Sequence, residues 1–467
     1  MSRTARRVRL VAAATAGLAG IGSVFAFGTP ANAAPTVTIG GSSYQKIDGF
    51  GISESFNMAN AIRGLSATAQ KQALDLLFST SNGAGFSIIR NDIDSIEPTS
   101  PGSPSATPHY VWNPSNGGTE DGQLWLALQA KNGYGVTNFY NNAWTPPPYM
   151  TNSADRGGLC GVPGVSCSSG DWRQAYANYL VQDAKYWASA GVAPSTLGFV
   201  NEPATSTSSF GSMLFTQSQA VNFLSVLGPA ARSSGLSTKI TCCDTLGFNQ
   251  LPSYASAVEA NSAANAAVGV FTSHGYAGAP TSPINSGGRS VWESEWSING
   301  NQWDGSWDDN GQADGFNWAQ NVFTSMTRGN DNAFCYFWGI STTSHDSSLI
   351  GLKGSTLTPA KRYYSLASYS RFVRPGATRI SATTGNGLDV AAFKNTDGSV
   401  IVVVLNTNSA GTSATYAVSN AGLSSGTVTP YLTNSGSSLA QQSAMSLSGG
   451  SFTATVPGRS LMTFRIH

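Results

Sequence analysis

The sequence predicts an α/β chain: a (β/α)8 barrel with an attached side β-sandwich domain. Three observations carry this. Eight strand-like segments recur between residues 47 and 338, most of them separated by helical patterns. Several read as continuous apolar runs, which suits strands buried on both faces. After about Pro375 the helical patterns stop, and short strands follow one another across Gly/Ser/Asn turns. An open doubly wound sheet is the competing arrangement, but no Gly-rich phosphate turn joins the first strand to a helix.

Residues 1–33 read as a signal peptide. Arg3, Arg6, Arg7 and Arg9 form a basic stretch, Val11 to Phe27 is apolar and small, and Ala31-Asn32-Ala33 is a cleavage pattern. Export by the general route and a secreted, extracellular location are expected. Without those four arginines, 21 basic residues face 24 acidic ones, so the mature chain is near −3. Residues 34–46 hold an isolated Thr/Val/Ile strand, assigned to the β-domain because chain termini often lie together. The barrel spans 47–374, with strands Ile47–Ser53, Phe86–Asp92, Val136–Trp144, Thr196–Asn201, Lys239–Asp244, Val268–Gly275, Ser290–Glu295 and Ala333–Trp338. Helical periodicity is clearest from Trp172 to Ala188, with Asp171 as N-cap and Gly191 past the end. Ala69–Phe78, Thr216–Arg232, Gly315–Arg328 and Pro359–Phe372 are the other good helices. The sandwich spans 375–467, with strands Leu388–Lys394, Val400–Asn406, Ala414–Val418, Val428–Thr433, Ser451–Val456 and Leu461–Ile466. Tyr416 and Tyr431 are its few expected exposed aromatics. The stretch from Arg371 to Gly376 reads as a tight joint that packs the sandwich on the barrel.

Charged residues are only 10% of the chain and aromatics another 10%. Nucleic-acid binding wants a basic footprint, and disorder wants high charge with few rings, so both are disfavoured. Neutral sugars present flat C–H faces that suit such a surface, although an exported chain rich in Ser, Thr, Asn and Gly would have the same composition. No stretch beyond the leader approaches ~18 uninterrupted apolar residues, so no membrane span is expected. Export makes disulfides plausible. Of the five cysteines, Cys160 and Cys167 bracket a Gly-rich loop and are the favoured pair. Cys242 and Cys243 could bond to each other, one could pair with Cys335, or all three could be thiols. There is no Cys-x-x-Cys spacing and there are only four His, so no metal and no cofactor are expected.

A parallel barrel places its chemistry at the C-terminal ends of its strands. Leu197-Gly198-Phe199-Val200-Asn201-Glu202-Pro203 is an apolar strand running into an amide, a carboxylate and a proline that stops pairing. Alone, this could be a solvated surface loop. A second such end, Ser290-Val291-Trp292-Glu293-Ser294-Glu295-Trp296, changes the weight. Two carboxylates on two strand ends are what glycoside cleavage needs. The other strand ends add Ser53, Glu54, Arg90, Asn91, Trp144, Asp244, His274, Tyr276 and Trp338. The set has no Ser-His-Asp spacing and no phosphate cradle.

These residues carry a resemblance. Ile47-Asp48-Gly49-Phe50-Gly51 with Ser53-Glu54, Ile88-Ile89-Arg90, Ala143-Trp144-Thr145-Pro146, Asn201-Glu202-Pro203, Ser273-His274-Gly275-Tyr276, Trp292-Glu293-Ser294-Glu295 and Tyr369 to Gly376 together resemble glycoside hydrolase family 30, in the clan of retaining (β/α)8 enzymes. The likeness covers nearly the whole mature chain. Ser53-Glu54-Ser55-Phe56, the Cys160–Trp172 loop and Thr241-Cys242-Cys243-Asp244 are most similar to a subgroup of xylan-degrading enzymes described mainly from fungi.

The resemblance implies Glu202 as acid/base and Glu295 as nucleophile. The acid/base needs a raised pKa, which the neighbouring Glu295 charge and ring-walled burial would supply. Arg90 would pair with Glu295 to keep it ionised. Asn201 would bond the sugar 2-hydroxyl, Tyr276 the nucleophile, and His274 would line the cleft. Trp144 and Trp338 would form a sugar platform. Glu293 competes with Glu295 for the nucleophile, since residues two apart share a strand face; Glu295 is nearer the strand end. Glu54, Asn91 and Asp244 could equally cap helices or pin loops. The implied partner is plant cell-wall xylan, cleaved by a monomer, with β-1,6-galactan or β-1,6-glucan as alternatives. A carbohydrate-binding protein on a dead scaffold would have lost one of the two carboxylates. Many xylanases of the family read a glucuronic acid branch with a basic residue, and related fungal sequences carry an Arg shortly after the Ser-Glu-Ser-Phe stretch. Met58 stands at that position here, which favours a neutral xylan.

Overall fold

The computed structural model of the protein describes residues 34–93, 103–106, 121–153, 156–298, 300, 302–342 and 346–467. The expected export signal lies outside them. The first strand, β1 (Thr36–Lys46), precedes the barrel. The barrel strands follow in chain order: β2 (Gly49–Ser53), β3 (Ile88–Ile93), β4 (Asn138–Ala143), β5 (Thr196–Gly198), β6 (Lys239–Thr245), β7 (Val268–His274), β8 (Ser290–Trp296) and β9 (Ala333–Ser341). Each pairs in parallel with the next, and β9 pairs with both β8 and β2, which closes the barrel. All eight expected strands therefore form. Gly51 shows why β2 is glycine-rich. A Cβ there would lie 2.7 Å from Ile88 Cβ and 2.9 Å from Cys335 Sγ, so only glycine lets β2 pass between its neighbours. A hairpin of β10 (Ser348–Lys353) and β11 (Thr356–Pro359) extends from β9 and had no clear signal in the sequence.

Helices Ala67–Phe78, Gln123–Tyr134, Arg173–Ser189, Gln217–Ser233, Gly315–Thr324 and Lys361–Ser370 are among those between the strands. The N-cap of Arg173–Ser189 is Trp172, one residue later than expected. The Asp171 carboxylate still accepts from Arg173 N at 3.0 Å, and it also grips the Arg173 guanidinium. Thr216 and Gln219 close a reciprocal capping box on the next helix. Two apolar cores flank the barrel wall, with Trp187 and Trp318 fully buried in one and Tyr176 and Phe223 in the other. Each such side chain contributes about 1.5–3 kcal/mol by leaving water.

The second sheet system holds β12 (Thr378–Ala382), β13 (Leu388–Lys394), β14 (Val400–Asn406), β15 (Thr412–Ala417), β16 (Gly426–Thr433), β17 (Ala440–Gln441), β18 (Met445–Leu447), β19 (Ser451–Val456) and β20 (Ser460–Ile466). β1 links its two layers: Thr36–Thr38 run parallel to β15, and Ile39–Lys46 run antiparallel to β12. The partner changes between Thr38 and Ile39, and the register against β12 then shifts across Gly40 and Gly41, with φ of 92° and 102°. The sandwich packs on the barrel through helix Lys361–Ser370, whose Tyr369 shares a core with Phe393, Ile401 and Val403. The joint is pinned by Arg371 Nε donating to Gly83 O and Arg374 Nη1 to Gly85 O. Tyr416 is buried, contrary to expectation: it stacks on Phe452 in the sandwich core. Its alternation with Ala414 and Val418 turned it inward. Tyr431 packs on Phe372 at the joint.

Cys160 and Cys167 are bonded, as expected. Of the three alternatives for the others, the vicinal Cys242–Cys243 bond forms, leaving Cys335 a buried thiol. Among the described residues, no helix is long and apolar enough to cross a membrane.

Candidate active site

The ends of β3, β6, β7 and β8, with the segment after β5, bring Arg90, Asp244, His274, Glu295, Asn201 and Glu202 together. β5 stops early, and the chain turns through Glu202, whose φ is 49°. That turn is fixed by Glu202 N donating to Asp244 O at 2.8 Å. Positive φ is uncommon outside glycine and tends to collect at functional sites.

Arg90 is the hub. Its Nη1 donates to Glu295 Oε2 at 2.5 Å, and its Nη2 to Asn201 Oδ1 at 2.7 Å and Asp244 Oδ2 at 2.8 Å. The Trp144 ring covers the guanidinium, 4.3 Å from its centroid. Tyr276 Oη donates to the other oxygen of Glu295, Oε1, at 2.9 Å. Both oxygens of Glu295 are thus held by donors. Burial opposes the charge on Arg90, but Glu295 and Asp244 outweigh it and raise its pKa. Burial likewise works against the Asp244 carboxylate, and Arg90 and His274 overcome it, holding Asp244 well below the usual range.

His274 is fully buried, and its Nδ1 lies 3.2 Å from Glu202 Oε1. Its Nε2 is 3.7 Å from Asp244 Oδ2 and 3.8 Å from Glu295 Oε2, too long for hydrogen bonds but close enough for strong attraction. Burial alone would lower its pKa; the Glu295 charge and the other two carboxylates push it up to about 10. His274 and Arg90 therefore sit beneath the cleft wall and act through the carboxylates, rather than lining the cleft as expected of His274.

One carboxylate oxygen each of Glu202 and Glu295 and one nitrogen of His274 lie within 4.8 Å of one another. Those atoms could hold a metal ion by spacing alone. Arg90 already presses a fixed positive charge on the Glu295 carboxylate, which repels a cation there. What the pair can do is acid/base and nucleophilic work on a bond placed between them.

Above the pair lies a cleft of about 590 Å³, lined by Phe56, Trp144, Phe337 and Trp338 on one side and by Thr205, Thr207 and Phe210 on another. Phe337 and Trp338 stack at 4.3 Å, and Phe56 meets Trp144 edge-on at 5.6 Å. No lysine or arginine is among the described lining residues. The sequence reading missed Phe56 and Phe337 and undervalued Asp244. Phe56 follows the Ser-Glu-Ser stretch and Phe337 precedes Trp338, so adjacency was the available signal. Glu54 is buried and accepts from Ile340 N at 2.7 Å; Asn91 donates to Asn141. Neither lines the cleft.

Two family descriptions match: O-glycosyl hydrolase family 30 over residues 105–278, and the family 30 β-sandwich domain over 376–464. The catalytic domain of a family 30 xylanase C from Talaromyces cellulolyticus is 37% identical, covers 92% of this chain and all of its own, and superposes with a TM-score of 0.86. The chain belongs to glycoside hydrolase family 30. It is a glycoside hydrolase built as a closed barrel with a side β-sandwich. Family relatives differ in substrate. An endo-1,6-β-D-glucanase of Trichoderma harzianum is 25% identical over 78% of each chain. A glucuronoxylanase of Bacillus subtilis is 30% identical over about a third, 32% of this chain and 33% of its own.

Proposed function

We propose that the protein is a secreted, retaining endo-acting hydrolase of β-1,4-xylosidic bonds, working by double displacement. The observation that carries the mechanism is the Glu202–Glu295 pair, with oxygens within 4.8 Å and Glu295 gripped by Arg90 and Tyr276. Retaining pairs stand about 5–5.5 Å apart, whereas inverting pairs leave room for a water at about 6.5–9.5 Å. In the first step Glu295 attacks the anomeric carbon while Glu202 gives its proton to the departing glycosidic oxygen. In the second, Glu202 takes a proton from water, the water oxygen attacks the same carbon, and Glu295 is released. Arg90 holds the Asn201 carbonyl, which leaves the Asn201 amide to donate to the sugar 2-hydroxyl. Trp338, Phe337 and Phe56 offer ring faces to the sugar.

Xylan is favoured by the whole-length likeness to the Talaromyces xylanase, at 37% identity. Neutral xylan is favoured by the cleft, which has no described cation to read a uronic acid, and by Met58. A second reading, endo-β-1,6-glucanase, is supported by long matches to the enzymes of Trichoderma harzianum and Neurospora crassa, the latter 27% identical over 398 residues. Export rests on the Arg-rich and apolar leader ending at Ala33.

Product analysis on linear xylan, glucuronoxylan and β-1,6-glucan tests the reading. Short neutral xylo-oligomers from both xylans are expected. Cleavage of β-1,6-glucan alone would overturn the substrate, and acidic products from glucuronoxylan alone would overturn the neutral-branch reading.

A further inference from the structure

Strand alternation should have turned Glu295 away from the site. Trp292 packs inside the barrel with Ile88, Tyr140, Val270, Ala333 and Cys335, and Ser294 Oγ reaches inward to Asp244. Val291 belongs to the outer core. With residues 292 and 294 inward, a regular strand would send both 293 and 295 outward. Glu295 nevertheless meets Arg90 and Tyr276 in the mouth. The reason is an irregularity in both ladders. Against β7 the register jumps between Glu293 and Glu295, and against β9 between Glu293 and Trp296. Such bulges re-aim side chains beside active sites and leave a backbone amide without its ladder partner.

Glu293 fills that gap. Its Oε1 accepts from Glu295 N at 3.1 Å, and its Oε2 accepts from Cys335 N on β9 at 3.3 Å. The side chain is fully buried, so it is no second nucleophile, and it takes up the amides the bulge sets free.

We propose that Glu293 is a positioning residue for Glu295: its carboxyl replaces the lost ladder bonds and holds open the bulge that aims Glu295 at the cleft. The inference rests on the reading of Glu295 as nucleophile. Without Glu293, two buried amides are unsatisfied and the strand relaxes toward alternation, which draws the Glu295 carboxylate off its Arg90–Tyr276 seat.

The test compares Glu293→Gln, which keeps an acceptor oxygen, with Glu293→Leu, which keeps the volume and accepts nothing. Both are assayed on whichever of linear xylan and β-1,6-glucan the wild type cleaves. A misplacement of about 1 Å costs on the order of 10²-fold in rate. The leucine variant should lose about that in kcat with KM little changed, and the glutamine variant, whose single amide oxygen can accept from one of the two backbone amides, should recover part of it. A folded leucine variant with wild-type kcat, or a folded glutamine variant as inactive as leucine, overturns the proposal. Should leucine not fold, crystal structures decide: loss of the bulge in a folded glutamine variant with full activity would also overturn it. Trapping with a 2-fluoro glycoside, read by peptide mass, separates the two claims. A label on Glu295 keeps the nucleophile reading whatever Glu293 does; a label elsewhere sinks that reading first.

Discussion

Asp244 and Arg90 form a buried ion pair, Oδ2 to Nη2 at 2.8 Å, that ties four barrel strands together. Asn142 of β4 donates to the same Asp244 oxygen and Ser294 of β8 to the other, each at 2.8 Å. Asp244 itself has φ of 46°. Asparagine tolerates that conformation as well as aspartate, so Asp244→Asn removes charge without adding backbone strain. It leaves Arg90 facing one carboxylate fewer in a dry site. Breaking a buried pair from one side costs about 3–5 kcal/mol. Urea unfolding of the variant should show a loss of that order, together with reduced turnover. A loss under about 1 kcal/mol would mean that the other partners suffice.

His274 gives the fold a pH signature. Its pKa rises from 6.5 to about 10 in the folded chain, so the folded state binds its proton more tightly. The stabilisation is full below about pH 6.5 and is lost as pH climbs toward 10. Unfolding free energy measured from pH 6 to 10 should fall in the wild type and fall less steeply in His274→Gln. Parallel curves would show that the imidazole is neutral in the folded protein.

The barrel was legible because its strands are apolar runs and its catalytic ends carry polar residues after them. Trp144, Asn201, Glu202, Tyr276, Glu295 and Trp338 come from such ends and all line one cleft. Period-two reasoning failed at Glu293 and Glu295, because a bulge is set by pairing across strands and leaves no mark in one strand's own sequence. Asp244 was undervalued for a similar reason. Its weight comes from Arg90, 154 positions earlier in the chain, a relation only the closed barrel creates. β12 was missed because five residues after a Pro-Gly turn are too few to show alternation.

Glu293 should be most costly at high pH. Burial holds its carboxyl well above the usual range, with Asp331 and Glu295 adding to this and His274 opposing it. A raised carboxyl favours the folded state at low pH, and that advantage fades as pH rises above its unfolded value of about 4.5. Glu293→Gln has no such proton to hold. Relative to wild type it should gain stability between pH 5 and 8, seen as a widening gap in melting temperature. A gap that stays constant across that range would show Glu293 ionised in the fold.

The roles proposed for Glu202 and Glu295 separate by leaving group. Glu202→Gln cannot donate a proton, so cleavage of polysaccharide should fall by roughly 10²–10⁴-fold. An aryl glycoside whose phenolate needs no proton should still form the glycosyl–enzyme, and azide should then restore turnover. Glu295→Gln should be inactive on both substrates. Equal losses on both substrates for Glu202→Gln would remove it from the acid role.

Phe56 couples backbone conformation to the ring wall. Its φ is 56°, rare for a bulky residue, and its ring meets Trp144, Phe337 and Trp338 edge-on. Removing the ring takes away a face of the proposed sugar site while leaving Glu202 and Glu295 untouched. Phe56→Ala should raise KM roughly tenfold, about 1.4 kcal/mol, with kcat little changed. Phe56→Gly loses the same ring, but glycine adopts positive φ without steric cost. It should show the same KM and a melting temperature no lower than the alanine variant. A lower kcat in alanine that glycine corrects would mean that backbone conformation, and not the ring, is what Phe56 contributes.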